Sequence, residues 1–216
     1  MARPLAFAVL ISGRGSNMLA LADAVHAGHI RGRLVLVLSD RADAAGLAAA
    51  AGLGIESRTL VPMPDEDRAG YGRRLGDAMA AAGAELVALA GFMRILDAGL
   101  VRSWQGRLLN IHPSLLPAYR GLHTHRRVLA AGERHHGCTV HFVTEELDAG
   151  PAVIQGRLAL RPGEGEQPLS ARVQHLEHII YPRAVGWYAD GRLQWREGAP
   201  WLDGRRLARP VIEEAD

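Results

Sequence analysis

Residues 5–27, LAFAVLISGRGSNMLALADAVHA, decide the fold of this chain. Residues 5–11 are continuously apolar, which predicts a short strand buried on both faces. A loop rich in glycine and serine follows, and residues 18–27 then repeat apolar side chains at helical spacing before Gly28. A buried strand, a glycine-rich loop and a helix together form the first unit of an α/β sheet.

The same alternation of strands and helices continues along the first half of the chain. A second buried strand is predicted at 34–38, further strands at 55–60, 85–90 and 107–111, and helices at 42–51 and 67–82. We therefore expect an α/β fold with a Rossmann-like, doubly wound and mostly parallel sheet.

The pattern changes after Pro113. Residues 136–144 alternate like a half-exposed strand and are expected to pair with residues 152–160, which predicts an antiparallel C-terminal extension. We also expect a small strand at 192–195 and a frayed acidic tail at 213–216. A long last helix, which Pro182 should bend or break, is predicted by apolar residues at helical spacing: Leu169, Val173, Leu176 and Ile180.

Composition narrows the class of protein. No apolar run approaches the roughly 18 residues of a membrane span, and the start of the chain enters a strand pattern without a signal-peptide cleavage site. Cys138 is the only cysteine, so an internal disulfide is excluded and a cytoplasmic protein without membrane association is expected.

The basic residues of the chain have an unusual composition. All 25 are arginine, and the formal net charge is only +2. The absence of lysine excludes a lysine Schiff base, pyridoxal phosphate attachment and a Walker A loop. The arginines are scattered and aromatic residues make up only 5% of the chain, which argues against nucleic-acid binding.

Residues 110–117, NIHPSLLP, carry the strongest chemical signal. Asn110 and His112 are two residues apart at the end of a predicted central strand, so their side chains point to the same side, where open α/β sheets bind ligands. Asp148 lies in a later turn that can return to this edge. An amide donor, a titratable ring and a carboxylate are suited to forming and collapsing a tetrahedral intermediate at a carbonyl. Taken singly, a histidine such as His112 is more often structural than catalytic, and an aspartate such as Asp148 is more often a turn former.

The loop at 12–17, SGRGSN, offers backbone N–H groups and a helix N-terminus to a phosphate. A dinucleotide site is one alternative, with Asp40 near the position of a ribose-binding acid, but the third glycine of that motif is missing. A monophosphate site at Gly15, Ser16 and Asn17 fits better, and a plain tight turn is the remaining interpretation. The histidine and cysteine spacings match no zinc motif, so no metal site is expected.

Five stretches in one order carry a family resemblance: 12–17 (SGRGSN), 90–96 (AGFMRIL), 109–117 (LNIHPSLLP), 121–125 (GLHTH) and 140–148 (VHFVTEELD). Together they resemble the phosphoribosylglycinamide formyltransferases (glycinamide ribonucleotide transformylases), the folate-dependent enzymes of purine synthesis. The likeness runs from about residue 5 to residue 201.

The resemblance implies a formyltransferase fold, transfer of a formyl group from 10-formyltetrahydrofolate to the amine of glycinamide ribonucleotide, and small-molecule substrates without a metal. It implies one domain over 1–216, with a ribonucleotide phosphate-binding part at about 1–110 and a folate-binding part at about 111–205. The catalytic residues implied are Asn110, His112 and Asp148. The ribonucleotide contacts implied are Gly15, Ser16, Asn17, Gln174 and Glu177. The folate contacts implied are Arg68, Met93, Arg94, Ile95, Leu96, Asn110, Val143, Thr144 and Asp148.

Several alternatives stay open at the level of sequence. A 10-formyltetrahydrofolate hydrolase or a formyltransferase that acts on a different amine would use the same core, and a non-catalytic nucleotide-binding module would need only the first loop. The chain is expected to be a monomer or a homodimer. Arg14 is a candidate additional phosphate contact. Ala149 stands where a glycine is expected, which predicts a changed loop after Asp148.

Overall fold

The computed structural model describes residues 3–215; Met1, Ala2 and Asp216, which the expected domain and the expected tail include, lie outside the described residues. The strands are β1 (Leu5–Ile11), β2 (Gly32–Ser39), β3 (Ser57–Thr59), β4 (Leu86–Leu89), β5 (Leu108–His112), β6 (His135–Phe142), β7 (Ala152–Ala159), β8 (Leu193–Arg196), β9 (Ala199–Leu202), β10 (Arg205–Arg206) and β11 (Val211–Ala215). The helices are α1 (Ser16–His26), α2 (Ala45–Gly52), α3 (Arg68–Ala81), α4 (Ala98–Ser103), α5 (Thr124–Ala130) and α6 (Glu166–Ala189).

The main sheet has eight strands in the order β11-β7-β6-β5-β4-β1-β2-β3, and β8, β9 and β10 form a separate antiparallel sheet. The pairings from β5 through β4, β1 and β2 to β3 are all parallel. Strands β6 and β7 add antiparallel pairings on the other side of β5. The predicted α/β class, with its mostly parallel sheet and antiparallel extension, is therefore confirmed.

Side chains of β1 alternate between the two faces of the sheet, as strand geometry requires. Phe7, Val9 and Ile11 pack in the core layer that contains α1 and α6, whereas Ala8 and Leu10 pack against α3 and α4. A strand buried on both faces is continuously apolar for this reason. The helices on both faces leave the carboxyl edge of the parallel strands available for a site.

Three sequence predictions were wrong. Strand β6 is buried along nearly its whole length rather than half exposed, because it is an inner strand with α6 packed against it. Of the bend or break expected at Pro182, the break does not occur: helix α6 continues through the proline, since buried residues on both sides of it, Tyr181 and Ala184, keep the helix packed on the sheet. Residues 211–215 are strand β11, paired in parallel with β7, rather than a frayed tail.

Helix α6 is tied directly to the strands that lead to the site. The hydroxyl of Tyr181 is fully buried and lies 3.0 Å from the carbonyl oxygens of both Leu89 and Leu109, at β4 and β5. Within residues 3–215, no helix is both long enough and apolar enough to cross a membrane.

Candidate active site

A cavity of about 610 Å³ lies at the carboxyl ends of the parallel strands β4 and β5. This is the edge at which open α/β sheets bind ligands. Most of the residues predicted from sequence line it: Asn17, Met93, Arg94, Ile95, Leu96, Asn110, His112, Val143, Thr144, Asp148 and Glu177. Asn17 of the predicted phosphate loop and the predicted catalytic side chains therefore face one space.

The three predicted catalytic side chains converge. The Nδ1 atom of His112 lies 3.4 Å from Oδ2 of Asp148, and each side chain is only 8% exposed. Asp148 reaches this position from the loop between β6 and β7, where its own backbone is left-handed (φ 50°). Its Oδ2 also accepts a hydrogen bond from the backbone N–H of Gly121 at 3.0 Å, which joins two loops above the strand ends.

His141 is a site residue that the sequence argument missed. It lies opposite Asn110 in the antiparallel pairing of β5 and β6, and its Nε2 is 3.1 Å from Nδ2 of Asn110. Its Nδ1 lies 2.9 Å from the carbonyl oxygen of Phe142, which can only accept, so Nδ1 carries the proton and Nε2 accepts from the amide. Burial lowers the pKa of His141 to about 4, which keeps this ring neutral and orients Asn110.

The predicted phosphate loop, residues 12–17, meets helix α6 through two pairs of side chains. The amide of Gln174 donates to Oγ of Ser16 at 2.9 Å, and the amide of Asn17 donates to Oε2 of Glu177 at 2.7 Å. Burial raises the pKa of the Glu177 carboxyl. The Oδ1 atom of Asn17 is buried without a hydrogen-bond partner in the described part of the chain, so it is an acceptor available to a ligand.

Gly15 caps α1 in the left-handed region, with φ 76°. A Cβ at this position would lie 3.0 Å from the Cα atom of Gly46, so the turn needs glycine for both its backbone angle and its close approach. Gly15, Ser16 and Gln174 do not line the main cavity but adjoin Asn17 at its edge. Arg14 is exposed and forms no part of the cavity lining.

The predicted folate segment forms an apolar wall with one charged side chain. Met93 is 66% exposed and Ile95 49% exposed, and with the exposed Leu122 and Leu147 they line one cavity, as an apolar patch at a ligand site does. The guanidinium of Arg94 lies over the Tyr71 ring, and its Nε donates to Asp40 at 2.9 Å. Burial, with the negative charge of Asp40 as the second cause, raises the pKa of Tyr71 to about 12.

Arg68, another predicted folate contact, begins α3 and is exposed outside the cavity lining. Ala149 donates its N–H to the carbonyl of Glu146 at 3.3 Å, and the left-handed residue of this turn is Asp148. The glycine that this loop needs is Gly150, since a Cβ there would collide with the carbonyl oxygen of Phe142.

The loop from β5 to α5 and the first turn of α5 add lining residues that the sequence argument did not assign: Gly121, Leu122, His123, Thr124 and His125. The GLHTH stretch was one of the five stretches that carry the family resemblance, and this was the sequence signal that could have identified these residues as part of the site. The peptide bond between Leu116 and Pro117 is cis. Within residues 3–215, no group of three or more His, Cys, Asp or Glu side chains is arranged to hold a metal ion.

Fold and cavity define the class of protein: an α/β enzyme whose residues 5–185 match the family model described as "Formyl transferase". The chain is 49% identical to phosphoribosylglycinamide formyltransferase of Escherichia coli strain K12 over 199 residues, 92% of this chain and 94% of that protein. It also superposes with a TM-score of 0.92 on a phosphoribosylglycinamide formyltransferase from Coxiella burnetii, with 42% identity, 96% of this chain and 99% of that chain covered. The chain therefore belongs to the phosphoribosylglycinamide formyltransferase family.

A formyltetrahydrofolate deformylase from Burkholderia mallei shares the fold at a greater distance. It is 26% identical with a TM-score of 0.83, and the match covers 93% of this chain and 70% of that chain. The two proteins therefore share one core fold.

Proposed function

We propose that this chain transfers the formyl group of 10-formyltetrahydrofolate to the amine of glycinamide ribonucleotide, giving formylglycinamide ribonucleotide and tetrahydrofolate in purine biosynthesis. The observation that carries the proposal is the 3.4 Å approach of His112 and Asp148 beside Asn110, in a cavity that Asn17 of the phosphate loop also lines. A nucleotide-binding module without catalysis would have no use for that arrangement.

The chemistry follows from the positions of these groups. The neutral amine attacks the formyl carbon, and the carbonyl oxygen becomes an oxyanion. The Asn110 amide, held by His141, has a second N–H to donate to that oxygen. Loss of one such donor commonly lowers the rate by roughly 10² to 10³. A proton must then leave the attacking nitrogen and reach the departing folate nitrogen, and His112 is the candidate carrier.

The partners of His112 suit a charged ring. Nδ1 faces the carboxylate of Asp148, and Nε2 lies 3.1 Å from the carbonyl oxygen of Tyr119, which accepts only. Both nitrogens therefore face acceptors, and the contact of Nδ1 with Asp148 holds the ring in position. For Nε2 to act on a substrate, it must exchange the Tyr119 carbonyl for the reacting group.

The residues expected to hold each substrate come from both parts of the chain. The ribonucleotide phosphate accepts hydrogen bonds from backbone N–H groups of Gly15, Ser16 and Asn17 and from the Ser16 hydroxyl. Gln174 and Glu177 lie beside these residues. For the folate, we propose Arg94 and Thr144 as polar contacts between the apolar residues of the wall. The division at about residue 110 into two binding parts, and the folate role of Arg68, stay predictions.

The co-substrate, the partners and the cellular location are part of the same proposal. The co-substrate is 10-formyltetrahydrofolate without a metal, the partners are small molecules, and the enzyme acts in the cytoplasm. A reducing compartment suits the single cysteine, Cys138, which is fully buried in β6. The expectation of a monomer or a homodimer remains a prediction.

A formyl-transfer assay with three acceptors tests the function. Purified protein with 10-formyltetrahydrofolate is given glycinamide ribonucleotide, an aminoacyl-tRNA, or water alone, and tetrahydrofolate formation is measured. We expect turnover with the ribonucleotide to exceed the other two by at least about 10³. Faster hydrolysis in water alone would favour the deformylase alternative.

A further inference from the structure

A hydrogen-bonded network joins the two predicted substrate-binding segments. Asp40, at the end of β2, accepts a hydrogen bond from Oγ of Ser12 at 2.5 Å and one from Nε of Arg94 at 2.9 Å. Ser12 Oγ in turn accepts the backbone N–H of Met93 at 2.9 Å, and the Ser12 N–H donates to the carbonyl of Gly91 at 3.2 Å. We call these five residues the Asp40 network.

The Ser12 hydroxyl stands at the centre of the network, where it donates to Asp40 and accepts from Met93. The Ser12 hydroxyl has one hydrogen, which Asp40 takes, so a lone pair is left for Met93. The Asp40 side chain is only 7% exposed, while the Arg94 side chain is 46% exposed and reaches the cavity. A buried carboxylate must keep its partners, because a lost one leaves a desolvated acceptor unpaired. A shift of Ser12 therefore has to be followed by Asp40 and Met93.

The position of the network gives it a functional consequence. Ser12 opens the loop that holds the proposed phosphate contacts, and Met93 and Arg94 belong to the proposed folate wall. The two segments leave neighbouring parallel strands, β1 and β4, and β2 supplies Asp40 from the other side of β1. One backbone hydrogen bond, from Ser12 to Gly91, joins the two segments directly. The other contacts between them pass through the side chains of Ser12 and Asp40.

We propose that Asp40 is a positioning residue that couples ribonucleotide binding to folate binding by linking Ser12 to Met93 and Arg94. This inference rests on the proposed function. Order imposed on the phosphate loop by the ribonucleotide is transmitted to the folate wall, and the reverse holds by linkage, since a coupling free energy is reciprocal. The enzyme thereby binds its second substrate more tightly once the first is in place.

The test measures binding of each ligand with and without the other. Glycinamide ribonucleotide and tetrahydrofolate form a complex that cannot react, so calorimetry gives four dissociation constants for each variant. In the unaltered chain we expect each ligand to improve the affinity of the other by about fivefold or more. Asp40→Ala should bring that factor to within about twofold of one, with a smaller effect on the ribonucleotide alone.

Two further variants keep the test decisive. Ser12→Ala removes the hydroxyl link while it leaves Asp40 with Arg94, and it should also abolish the coupling if Asp40→Ala fails to fold. Glu85→Ala is the matched control: its carboxylate also bridges an arginine and a second donor, Arg3 and the Ala6 N–H, but at the opposite end of β1 and β4. The control should keep the full coupling.

The outcomes separate the inference from the function on which it rests. If both ligands bind and the coupling factor is the same in the unaltered chain as in Asp40→Ala or Ser12→Ala, the coupling role of Asp40 is overturned and the proposed function is not. A coupling factor of one in the unaltered chain has the same meaning. Failure of the unaltered chain to bind either ligand overturns the proposed function, and the inference with it.

Discussion

Asp148→Asn isolates the charge beside His112 from the rest of the site. The asparagine has nearly the same shape, and its Oδ1 can still accept the Gly121 N–H that Asp148 now accepts at 3.0 Å. The junction between the two loops is therefore kept, and only the negative charge is lost. The substitution tests whether the carboxylate stabilises a charged imidazole during proton transfer.

The distance sets the expected magnitude. Opposite unit charges 3.4 Å apart attract by about 1 kcal/mol in water and by about 5 kcal/mol at an effective dielectric constant of about 20. Both side chains are 8% exposed, so the loss should lie in the upper part of that range, at about 3–4 kcal/mol. The expected fall in kcat is therefore roughly 10² to 10³, with little change in KM for the folate.

The assay is single-turnover formyl transfer from 10-formyltetrahydrofolate to glycinamide ribonucleotide, followed between about pH 6 and pH 9. Asp203→Asn is the control, because it also removes one carboxylate from an ion pair, with Arg192 at 2.7 Å, but on the exposed second sheet. Thermal unfolding confirms that both variants are folded. A folded Asp148→Asn enzyme with kcat within about threefold of the control would refute the electrostatic role.

Three further predictions concern other parts of the site. Burial, with positive charge at neighbouring histidines, lowers the pKa of His136 to about 4. As the pH falls, the unfolded chain therefore takes up this proton before the folded chain does. The contribution of His136 to stability is full above about pH 6.5 and decreases towards pH 4. Between pH 7 and pH 5 this proton accounts for about 2 kcal/mol of lost stability, which denaturant unfolding of His136→Gln should no longer show; an unchanged pH dependence would contradict the prediction. His141→Leu should lower kcat about 10- to 100-fold with KM retained, because Asn110 loses its acceptor. Steady-state kinetics in which only KM changed would contradict this prediction. Gln174→Ala frees Ser16 and should raise KM for the ribonucleotide by about tenfold, whereas an equal rise for the folate would count against the assignment.

The sequence predicted a mostly parallel main sheet because local patterns along the chain encode its strands and helices. Continuously apolar strands such as β1 can only be central strands with helices on both sides, and glycine at residue 15 marks a tight turn before a helix. The two-residue spacing of Asn110 and His112 places both on one side of β5 at the edge where ligands bind. These features depend on neighbours in the chain, and periodicity therefore revealed them.

Tertiary packing decided the features that have no local signal. The burial of β6, the passage of α6 through Pro182 and the pairing of β11 with β7 all depend on which surface is available after the core has formed. A stretch such as residues 211–215 is a strand only because β7 presents an unpaired edge.

Sequence alone determined which side chains stand at the ends of the strands, and so which chemistry the cavity contains. Only the folded chain decided how they are held: the register that sets His141 against Asn110, the turn that brings Asp148 to His112, and the meeting of Ser12, Asp40 and Arg94. Such contacts join segments tens of residues apart and are stabilised by burial and hydrogen bonding between them. No property of either segment by itself specifies the partner.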